Sequence, residues 1–241
     1  MTQEEVRRYL EFYQDLGIKT LFRREAVHAP AAAPQPAAIV GAPSLPTLEP
    51  AGDTLLKILE DIGDCKRCRL HEGRNKLVFG TGNEQAKLVF VGEGPGADED
   101  EQGLPFVGRA GQLLTQMIEG TARKEGIPLE RRDVYICNVV KCRPPENRTP
   151  QPDEMEICGQ FLYRQLQAIR PKAICALGST AAKAVLGTKE GVTRLRGKWQ
   201  RWRDIPVMVT YHPSYLLRPY NQNAKKEAWE DLKMVLHYVY D

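Results

Sequence analysis

The sequence lacks three features, and each absence narrows the class of protein. No run of about 18 apolar residues is present, so a membrane-spanning helix is not expected. The first residues, MTQEEVRRYLEFYQ, lack the apolar segment of a secretion signal, and we therefore expect a cytoplasmic protein without membrane association. The net charge is only +3 in 241 residues, so any contact with nucleic acid must come from a local basic patch.

Cysteine is scarce, but its spacing is informative. The chain has six cysteines and no secretion signal, which favours metal ligands and buried thiols over disulfides. Cys65 and Cys68 form a C-x-x-C pair, and Cys142 and Cys158 complete a possible set of four. Such a set suits either tetrahedral zinc or an iron-sulfur cluster, and spacing does not distinguish the two. The remaining cysteines lie inside predicted strands, where a thiol usually acts as a small buried hydrophobe.

Composition divides the chain into three parts. Residues 1–28 carry apolar and aromatic positions at helical spacing, which predicts an N-terminal amphipathic helix. Residues 29–52 are rich in Ala and Pro and almost uncharged, which is typical of a semi-extended linker. Residues 53–241 are therefore predicted to form the functional domain, preceded by a helical extension.

The domain alternates short apolar runs with amphipathic segments, which is typical of an α/β fold with a mostly parallel sheet. The predicted strands are 87–92, 133–140, 173–177 and 206–211. The predicted helices are 109–125, 153–169, 179–186 and 224–239.

Polar residues stand at the ends of three predicted strands. Glu93 and His212 directly follow apolar runs, and Asn138 interrupts one late in its strand. Ligands of open α/β sheets bind beyond the carboxyl ends of the strands, so we expect these side chains to meet in one site. Taken singly, each of them could instead make only a local turn contact.

The loop after the first predicted strand is rich in glycine. Gly94 and Gly96 permit close backbone approach to a ligand, but the loop matches neither the nucleoside-triphosphate nor the dinucleotide motif. Phe106 follows in a rigid loop near the same edge. Its ring could pack in the core or stack on a flat base.

Several segments together resemble the family 4 uracil-DNA glycosylases, which carry a [4Fe-4S] cluster. Besides the C-x-x-C pair, the resemblance rests on GEGPGADED (92–100), GLPFVGRAGQLL (103–114), NVVKCRPPENRTP (138–150), CGQFL (158–162) and HPSYLLR (212–218). It implies a three-layer α/β/α sandwich around a mostly parallel four-stranded sheet. It also implies that Cys65, Cys68, Cys142 and Cys158 are the cluster ligands.

The implied activity is monofunctional excision of uracil from DNA, by hydrolysis of the N-glycosidic bond in base excision repair. By resemblance, Phe106 stacks on uracil, Asn138 hydrogen-bonds to its edge, and Glu99 or its loop crowds C5 and rejects thymine. Bond cleavage leaves negative charge on uracil, and we expect His212 to donate a hydrogen bond to its O2. Glu93 is our candidate for orienting the water and stabilising the sugar cation, with backbone carbonyls as the alternative.

A neighbouring branch forms a covalent adduct through a histidine in the loop that corresponds to residues 141–150, which contains no histidine here. We therefore expect hydrolytic turnover. The residues expected to bind DNA are Arg109, Arg143, Arg148, Ser214, Leu216, Leu217 and Arg218, of which the last three would fill the gap left by the flipped nucleotide. The basic and aromatic residues 194–203 could add phosphate contacts or form a solvated hairpin.

Two other classes of protein would share parts of this arrangement of cysteines and polar residues. A metal-stabilised DNA-binding module would keep the cysteines but would not need the polar residues at the strand ends. An iron-sulfur redox enzyme typically shows a C-x-x-x-C-x-x-C pattern, which is not present. We expect a monomer acting on single- or double-stranded uracil-containing DNA. Ile18–Phe22 is faintly similar to peptides that bind sliding clamps, although a helix docked on its own domain is the commoner arrangement.

Overall fold

A mixed β-sheet forms the centre of the computed structural model, which describes residues 52–218 and 221–241. The strands of the described residues are β1 (Thr81–Gly82), β2 (Leu88–Gly92), β3 (Tyr135–Asn138), β4 (Ala173–Leu177), β5 (Trp199–Trp202) and β6 (Ile205–Thr210). Their order across the sheet is β1-β3-β2-β4-β6-β5. The central strands β3, β2, β4 and β6 are parallel, and β1 and β5 pair antiparallel at the two edges.

The fold class is confirmed, but the sheet has six strands where the sequence predicted four. The four predicted strands are the parallel ones, and all lie within two residues of their observed ends, although the run 133–140 was predicted two residues too long at each end. Both missed strands are edge strands. β1 has only two residues, and β5 alternates between exposed and half-buried positions, so neither has the apolar run of a central strand.

Helices cover both faces of the sheet. The described helices are α1 (Leu55–Ile62), α2 (Ala97–Gln102), α3 (Arg109–Lys124), α4 (Pro152–Ile169), α5 (Gly178–Leu186), α6 (Val192–Leu195), α7 (Pro213–Leu216) and α8 (Gln222–Tyr240). Short 3₁₀ turns occur at Arg69–His71, Arg131–Asp133 and Pro145–Asn147.

The core consists of two main apolar layers, one on each face of the sheet. Val89 and Val91 of β2 belong to the layer that includes α1, α4 and α5. Leu88 and Phe90 belong to the layer that includes α3 and α8. Because successive side chains of a strand point to opposite faces, a strand covered on both sides must be apolar throughout. This explains why β2 is fully buried and confirms the three-layer sandwich.

Local signals in the sequence account for the helix ends near the strands. Pro152 begins α4, and the Glu154 carboxylate accepts the backbone N–H of Gln151 at 2.7 Å, which caps the first turn. Gly178 begins α5 immediately after β4 with φ of +90°, a conformation that favours glycine. The connection from β4 to α5 is therefore direct, whereas a longer loop, residues 139–151, joins β3 to α4.

Within the described ranges, no helix is long and apolar enough to cross a membrane. The predicted N-terminal helix (1–28), the Ile18–Phe22 segment and the linker through residue 51 lie outside the described residues.

Candidate active site

A cavity of about 340 Å³ lies at the carboxyl ends of β2, β3, β4 and β6. We call it the base pocket. The predicted site residues that line it are Glu93, Gly94, Gly96, Glu99, Phe106, Asn138, Arg148, His212 and Ser214. The sheet therefore brings together side chains that are more than a hundred positions apart in the sequence.

Asn138 lies at the bottom of the base pocket as the last residue of β3. It is only 1% exposed, and within the described part of the chain its Oδ1 has no hydrogen-bond partner. A buried amide oxygen without a partner is costly, because desolvation is not offset by a new bond. The unpaired Oδ1 therefore indicates a site for a donor on a ligand.

The phenyl ring of Phe106 packs next to this amide, over the backbone of Gly92. A Cβ added at Gly92 would collide with both Asn138 Oδ1 and the Phe106 ring. Glycine at this position thus allows a flat ring and an amide to approach one backbone segment. Gly92 was not among the predicted site residues, because a glycine at a strand end shows no such contact in the sequence.

The loop that carries Phe106 is held by polar contacts on both sides. Phe106 itself has φ of +53°, which is unfavourable for a non-glycine residue. Glu99 Oε1 accepts the backbone N–H groups of Val107 and Gly108, both at 2.9 Å, and Oε2 accepts that of Gly96 at 3.1 Å. The Glu99 carboxylate thus joins the glycine-rich loop to the Phe106 loop.

Arg131 supports the same loop from outside the pocket. Its Nη2 donates to the Pro105 carbonyl at 2.9 Å, and its Nη1 donates to Thr115 Oγ1 at 2.9 Å. This role was not predicted, because Arg131 lies in a polar turn far from the motifs.

His212 is held as a neutral hydrogen-bond donor. Its Nδ1 accepts the backbone N–H of Ser214 at 3.2 Å and lies 2.8 Å from Ser214 Oγ. A neutral ring that accepts at Nδ1 carries its proton on Nε2. Desolvation in the pocket wall lowers the pKa of His212 to about 4, so the ring is neutral at physiological pH. The ring centroid lies 5.5 Å from that of Phe106.

Glu93 follows β2 and faces the base pocket. Its carboxylate accepts a hydrogen bond from the Thr180 hydroxyl of α5. Thr180 is buried, so this contact fixes the orientation of the carboxylate. Thr180 was also missed by the sequence interpretation, because threonine in the first turn of a helix usually has only a local capping role.

The residues predicted to bind DNA lie in different environments. Arg109 is exposed at the start of α3, and Arg143 Nε donates to Asn147 Oδ1 at 2.8 Å. Arg148 makes two hydrogen bonds, at 2.9 and 2.6 Å, to the carboxylate of the buried Glu154. Arg148 therefore also anchors the loop before α4.

Leu216 requires a correction. The prediction that it fills a gap in DNA needs an exposed side chain, but Leu216 is 1% exposed and packs against Ala224 and Ala228. The flanking proline does not prevent a helix here, because Pro213 occupies the first turn of α7, where proline is tolerated. Leu217 is half-buried and Arg218 is exposed.

Residues 194–203, all of them described, lie outside the lining of the base pocket. Trp199–Trp202 form β5, which makes a hairpin with β6. Arg196 instead pairs with the buried Asp231 at 2.7 Å. The solvated-hairpin interpretation fits most of this segment, and Arg196 is part of the packing between the sheet and α8.

The four cysteines of the predicted ligand set line a second cavity, together with Lys141. We call it the cysteine cavity. N–H groups point at three of the sulfurs: Lys141 N lies 3.3 Å from Cys158 Sγ, Arg74 Nη1 3.3 Å from Cys142 Sγ, and Arg67 Nη1 3.6 Å from Cys65 Sγ. Such donors stabilise negative charge on sulfur.

Burial raises the pKa of the Cys158 thiol to about 12, so its thiolate requires a positive partner. Among the described residues, no His, Cys, Asp and Glu group of three or more has the arrangement of a single-ion site. Cys137 and Cys175 are fully buried within β3 and β4, which confirms their interpretation as small apolar side chains.

The fold and the base pocket are typical of an enzyme that binds a flat base. Comparison with known proteins identifies the family to which this chain belongs. Residues 79–233 match the family model described as the Uracil DNA glycosylase superfamily. A Type-4 uracil-DNA glycosylase of Thermotoga maritima is 45% identical over 190 residues, covering 78% of this chain and 96% of that protein. The Type-4 enzyme of Archaeoglobus fulgidus is 44% identical over 191 residues, covering 76% of this chain and 92% of its own.

A third Type-4 uracil-DNA glycosylase, from Sulfurisphaera tokodaii, is 44% identical over 191 residues. The match covers 76% of this chain and 84% of that protein. The chain belongs to the type-4 family of the uracil DNA glycosylase superfamily.

Proposed function

We propose that this protein excises uracil from DNA by hydrolysing the N-glycosidic bond, which leaves an abasic site for base excision repair. The observation that carries the proposal is the buried Asn138 amide, whose Oδ1 has no partner among the described residues and which packs beside the Phe106 ring. The family membership supports the same activity.

Recognition of uracil follows from the chemistry of an amide. Asn138 Oδ1 accepts the N3–H of uracil and its Nδ2 donates to O4, while the Phe106 ring stacks on the base. Cytosine presents an acceptor at N3 and an amino group at position 4, so both contacts become mispaired. A buried mispaired polar group costs about 1–3 kcal/mol, which gives selection for uracil.

Gly94 and Gly96 bring the backbone of the loop close to the base in this arrangement. Glu99 acts on the shape of the pocket mainly through the backbone groups that it holds. We propose that this loop, rather than the carboxylate alone, crowds C5 and excludes the thymine methyl group.

Cleavage leaves negative charge on uracil O2 and O4 and positive charge on the sugar. His212 Nε2 donates to O2, and because the ring is already neutral and oriented by Ser214, it needs no proton change to do so. One preorganised donor of this kind contributes about 2.7–4 kcal/mol to stabilisation of the transition state.

Glu93 acts on the sugar side of the bond. Its carboxylate, oriented by Thr180, stabilises the oxocarbenium-like sugar and orients the attacking water. The water adds to C1′, its proton is taken up by the carboxylate or solvent, and uracil leaves as the anion hydrogen-bonded to His212. No covalent bond to the protein forms in this scheme.

A base in duplex DNA must leave the stack before it can enter the pocket, at a cost of a few kcal/mol. Arg109, Arg143 and Arg218 are the side chains that we propose for phosphate contacts, and Ser214 and Leu217 contact the DNA next to the flipped nucleotide. Arg148 contacts phosphate at the same surface in this proposal, while its guanidinium remains paired with the Glu154 carboxylate.

The cysteine cavity fits a [4Fe-4S] cluster, with Cys65, Cys68, Cys142 and Cys158 as its ligands. Four cysteines around one mostly apolar cavity, with N–H donors to three sulfurs, support this assignment. When bound, the cluster supplies a covalent link between the segments that carry the cysteines. We propose that the protein acts in the cytoplasm as a monomer.

The decisive experiment is single-turnover cleavage of a uracil-containing oligonucleotide, followed by alkali to reveal abasic sites. We expect strand breaks with the intact protein and a rate at least about 10-fold lower with Asn138→Ala. Asn83→Ala, which changes an exposed turn, is the matched control and keeps the full rate. A folded protein with full iron content that yields no breaks would point instead to a DNA-binding module.

A sliding clamp remains a candidate partner through Ile18–Phe22. Equal recovery on clamp beads of the intact protein and of a variant with Leu21 and Phe22 changed to Ala would end that proposal.

A further inference from the structure

Lys141 is a buried basic residue whose side-chain hydrogen bonds, within the described part of the chain, go to neutral acceptors. It is 1% exposed, and its Nζ donates to the Asn138 backbone carbonyl at 2.7 Å and to Gln165 Oε1 at 2.6 Å. Burial of an amino group is unfavourable unless hydrogen bonds hold it. A buried lysine held by neutral acceptors therefore calls for a functional explanation.

The backbone of Lys141 belongs to the wall of the cysteine cavity. Its N–H donates to Cys158 Sγ at 3.3 Å, and the next residue is Cys142. Its side chain runs from that wall to the end of β3. Lys141 thus connects the cysteine cavity with the peptide group of Asn138.

The orientation of the Asn138 side chain depends on neighbouring groups, because within residues 52–218 and 221–241 its own amide oxygen makes no hydrogen bond that would fix it. Oδ1 has no partner among the described residues, so no hydrogen bond from that oxygen orients the side chain before a base binds. Asn138 is also the last residue of β3, and its peptide group is held from one side by Val139 N–H, which donates to the Gly92 carbonyl at 3.0 Å, and from the other by Lys141. The orientation of the amide therefore depends on packing and on the position of its own peptide group.

Gln165 fixes the other side of Lys141. Its Nε2 donates to the Phe79 carbonyl at 3.0 Å and to the Tyr135 hydroxyl at 3.2 Å, while its Oε1 accepts from Lys141. This buried network joins α4 to β3 beneath the base pocket. Every member is held by at least one other group, which favours a rigid arrangement.

We propose that Lys141 is a positioning residue, which ties the peptide of Asn138 to the wall of the cysteine cavity and thereby holds the amide ready for uracil. The proposal rests on the proposed function, because it requires that Asn138 contacts the base. Lys141 does not touch the substrate and acts only through Asn138.

The test is a double-mutant cycle between Lys141→Met and Asn138→Ala. Methionine keeps most of the volume but removes the donor. We expect Lys141→Met to lower the single-turnover rate on a uracil oligonucleotide by about 10- to 100-fold, because a misplacement of about 1 Å has this effect. In the Asn138→Ala background the same change should lower the rate by less than about 2-fold, since the residue through which Lys141 acts is missing.

Two controls separate positioning from general loss of stability. Lys172→Met removes a comparable bond outside this network, from Lys172 Nζ to the Val239 carbonyl at 3.2 Å, and it should keep the rate within about 3-fold of the intact protein. Binding of an uncleavable oligonucleotide with 2′-fluoro-2′-deoxyuridine gives a readout besides activity. We expect about 10-fold weaker binding for Lys141→Met, with unchanged affinity for the thymine oligonucleotide.

The outcomes are distinct. An equal loss of rate in both backgrounds, or no loss at all, would overturn the positioning role and leave the proposed function intact. A full rate for Asn138→Ala alone would overturn the proposed pocket and this inference with it. If Lys141→Met does not fold, Lys141→Gln keeps a donor but is too short to reach the Asn138 carbonyl, and the same coupling is expected.

Discussion

Gly92 shows how a single missing methyl group shapes the base pocket. The backbone at this residue is covered by the Asn138 amide and the Phe106 ring, so Gly92→Ala forces both away from their positions. We expect a fall of about 100-fold in the single-turnover rate and a loss of about 1–3 kcal/mol in the free energy of unfolding.

The matched control for this change is Gly120→Ala in α3. An added Cβ there meets nothing within 4 Å, so the variant should keep its activity and gain about 0.5–1 kcal/mol of stability. Rates measured for both variants under identical conditions check the prediction. A Gly92→Ala protein as active as Gly120→Ala would show that the ring and the amide can move without loss.

The protonation state of His212 gives a prediction about pH. Its pKa in the folded protein is lowered to about 4, while an unfolded histidine titrates near 6.5. The unfolded chain therefore binds the proton first as pH falls, and the folded protein loses stability between pH 6.5 and 4. At pH 5 this loss amounts to about 2 kcal/mol relative to pH 8.

NMR titration of the histidine ring protons measures this directly, with the His212 signal assigned by its absence in His212→Gln. We expect a midpoint near pH 4 and a glycosylase rate that shows no step around pH 6.5. A midpoint near 6.5 would contradict the neutral-donor role that we assign to this ring.

At the scale of elements, the loop between α2 and α3 depends on Arg131. Its guanidinium holds the Pro105 carbonyl next to the strained Phe106. Arg131→Met leaves that carbonyl without its donor, which costs about 1–3 kcal/mol. We expect about a 10-fold lower rate, because the Phe106 ring, which we propose stacks on the base, loses its fixed position.

The neighbouring Arg132 provides the comparison. It is 80% exposed and pairs across the surface with Glu130, so Arg132→Met should change neither rate nor stability measurably. Single-turnover rates and urea unfolding of the two variants test the prediction. Equal behaviour of both would mean that the loop is held by Glu99 alone.

The parallel strands and the long helices could be predicted because burial on both faces leaves uninterrupted apolar runs, as in β2 and β4. The edge strands could not, since pairing on one side needs no such run. The prediction for Leu216 was wrong for a related reason. Two prolines near a leucine suggest an exposed loop, whereas one proline in the first helical turn is compatible with a buried helix.

The positions of Glu93, Asn138 and His212 could be predicted because strand ends are visible in the sequence and converge in any parallel sheet. Lys141 could not be predicted in the same way. It lies in a segment that is basic in sequence, and its burial depends on Gln165, 24 residues further along. Contacts of this kind exist only after the helix has packed on the sheet.

At the scale of the whole molecule, the cysteine cavity joins distant parts of the chain. Cys65 and Cys68 precede the sheet, Cys142 follows β3, and Cys158 belongs to α4. A group bound to all four closes a loop of roughly 90 residues, which by loop-closure entropy stabilises the fold by about 4 kcal/mol. Under the proposed [4Fe-4S] assignment, the Cys158→Ala variant should therefore lose iron and unfold about 10 °C lower.

Cys175→Ala is the matched control, because Cys175 is equally buried but lies in β4 away from the cavity. It should keep its iron content and lose only the packing of one sulfur atom. Iron analysis and thermal unfolding of the two variants distinguish a ligand from a buried thiol. Iron retained in full by Cys158→Ala would exclude this residue from the ligand set.

The base pocket is lined by residues at the ends of β2, β3, β4 and β6. These residues are spread along the sequence from Glu93 to Ser214, so no short segment of the chain contains the pocket. During synthesis on the ribosome, Glu93 and Asn138 are made long before His212, and until β6 has joined the sheet the pocket lacks one wall. A nascent chain that ends before residue 212 lacks both His212 and this wall of the pocket. The base pocket is thus complete only when nearly the whole chain up to the last helix has been made.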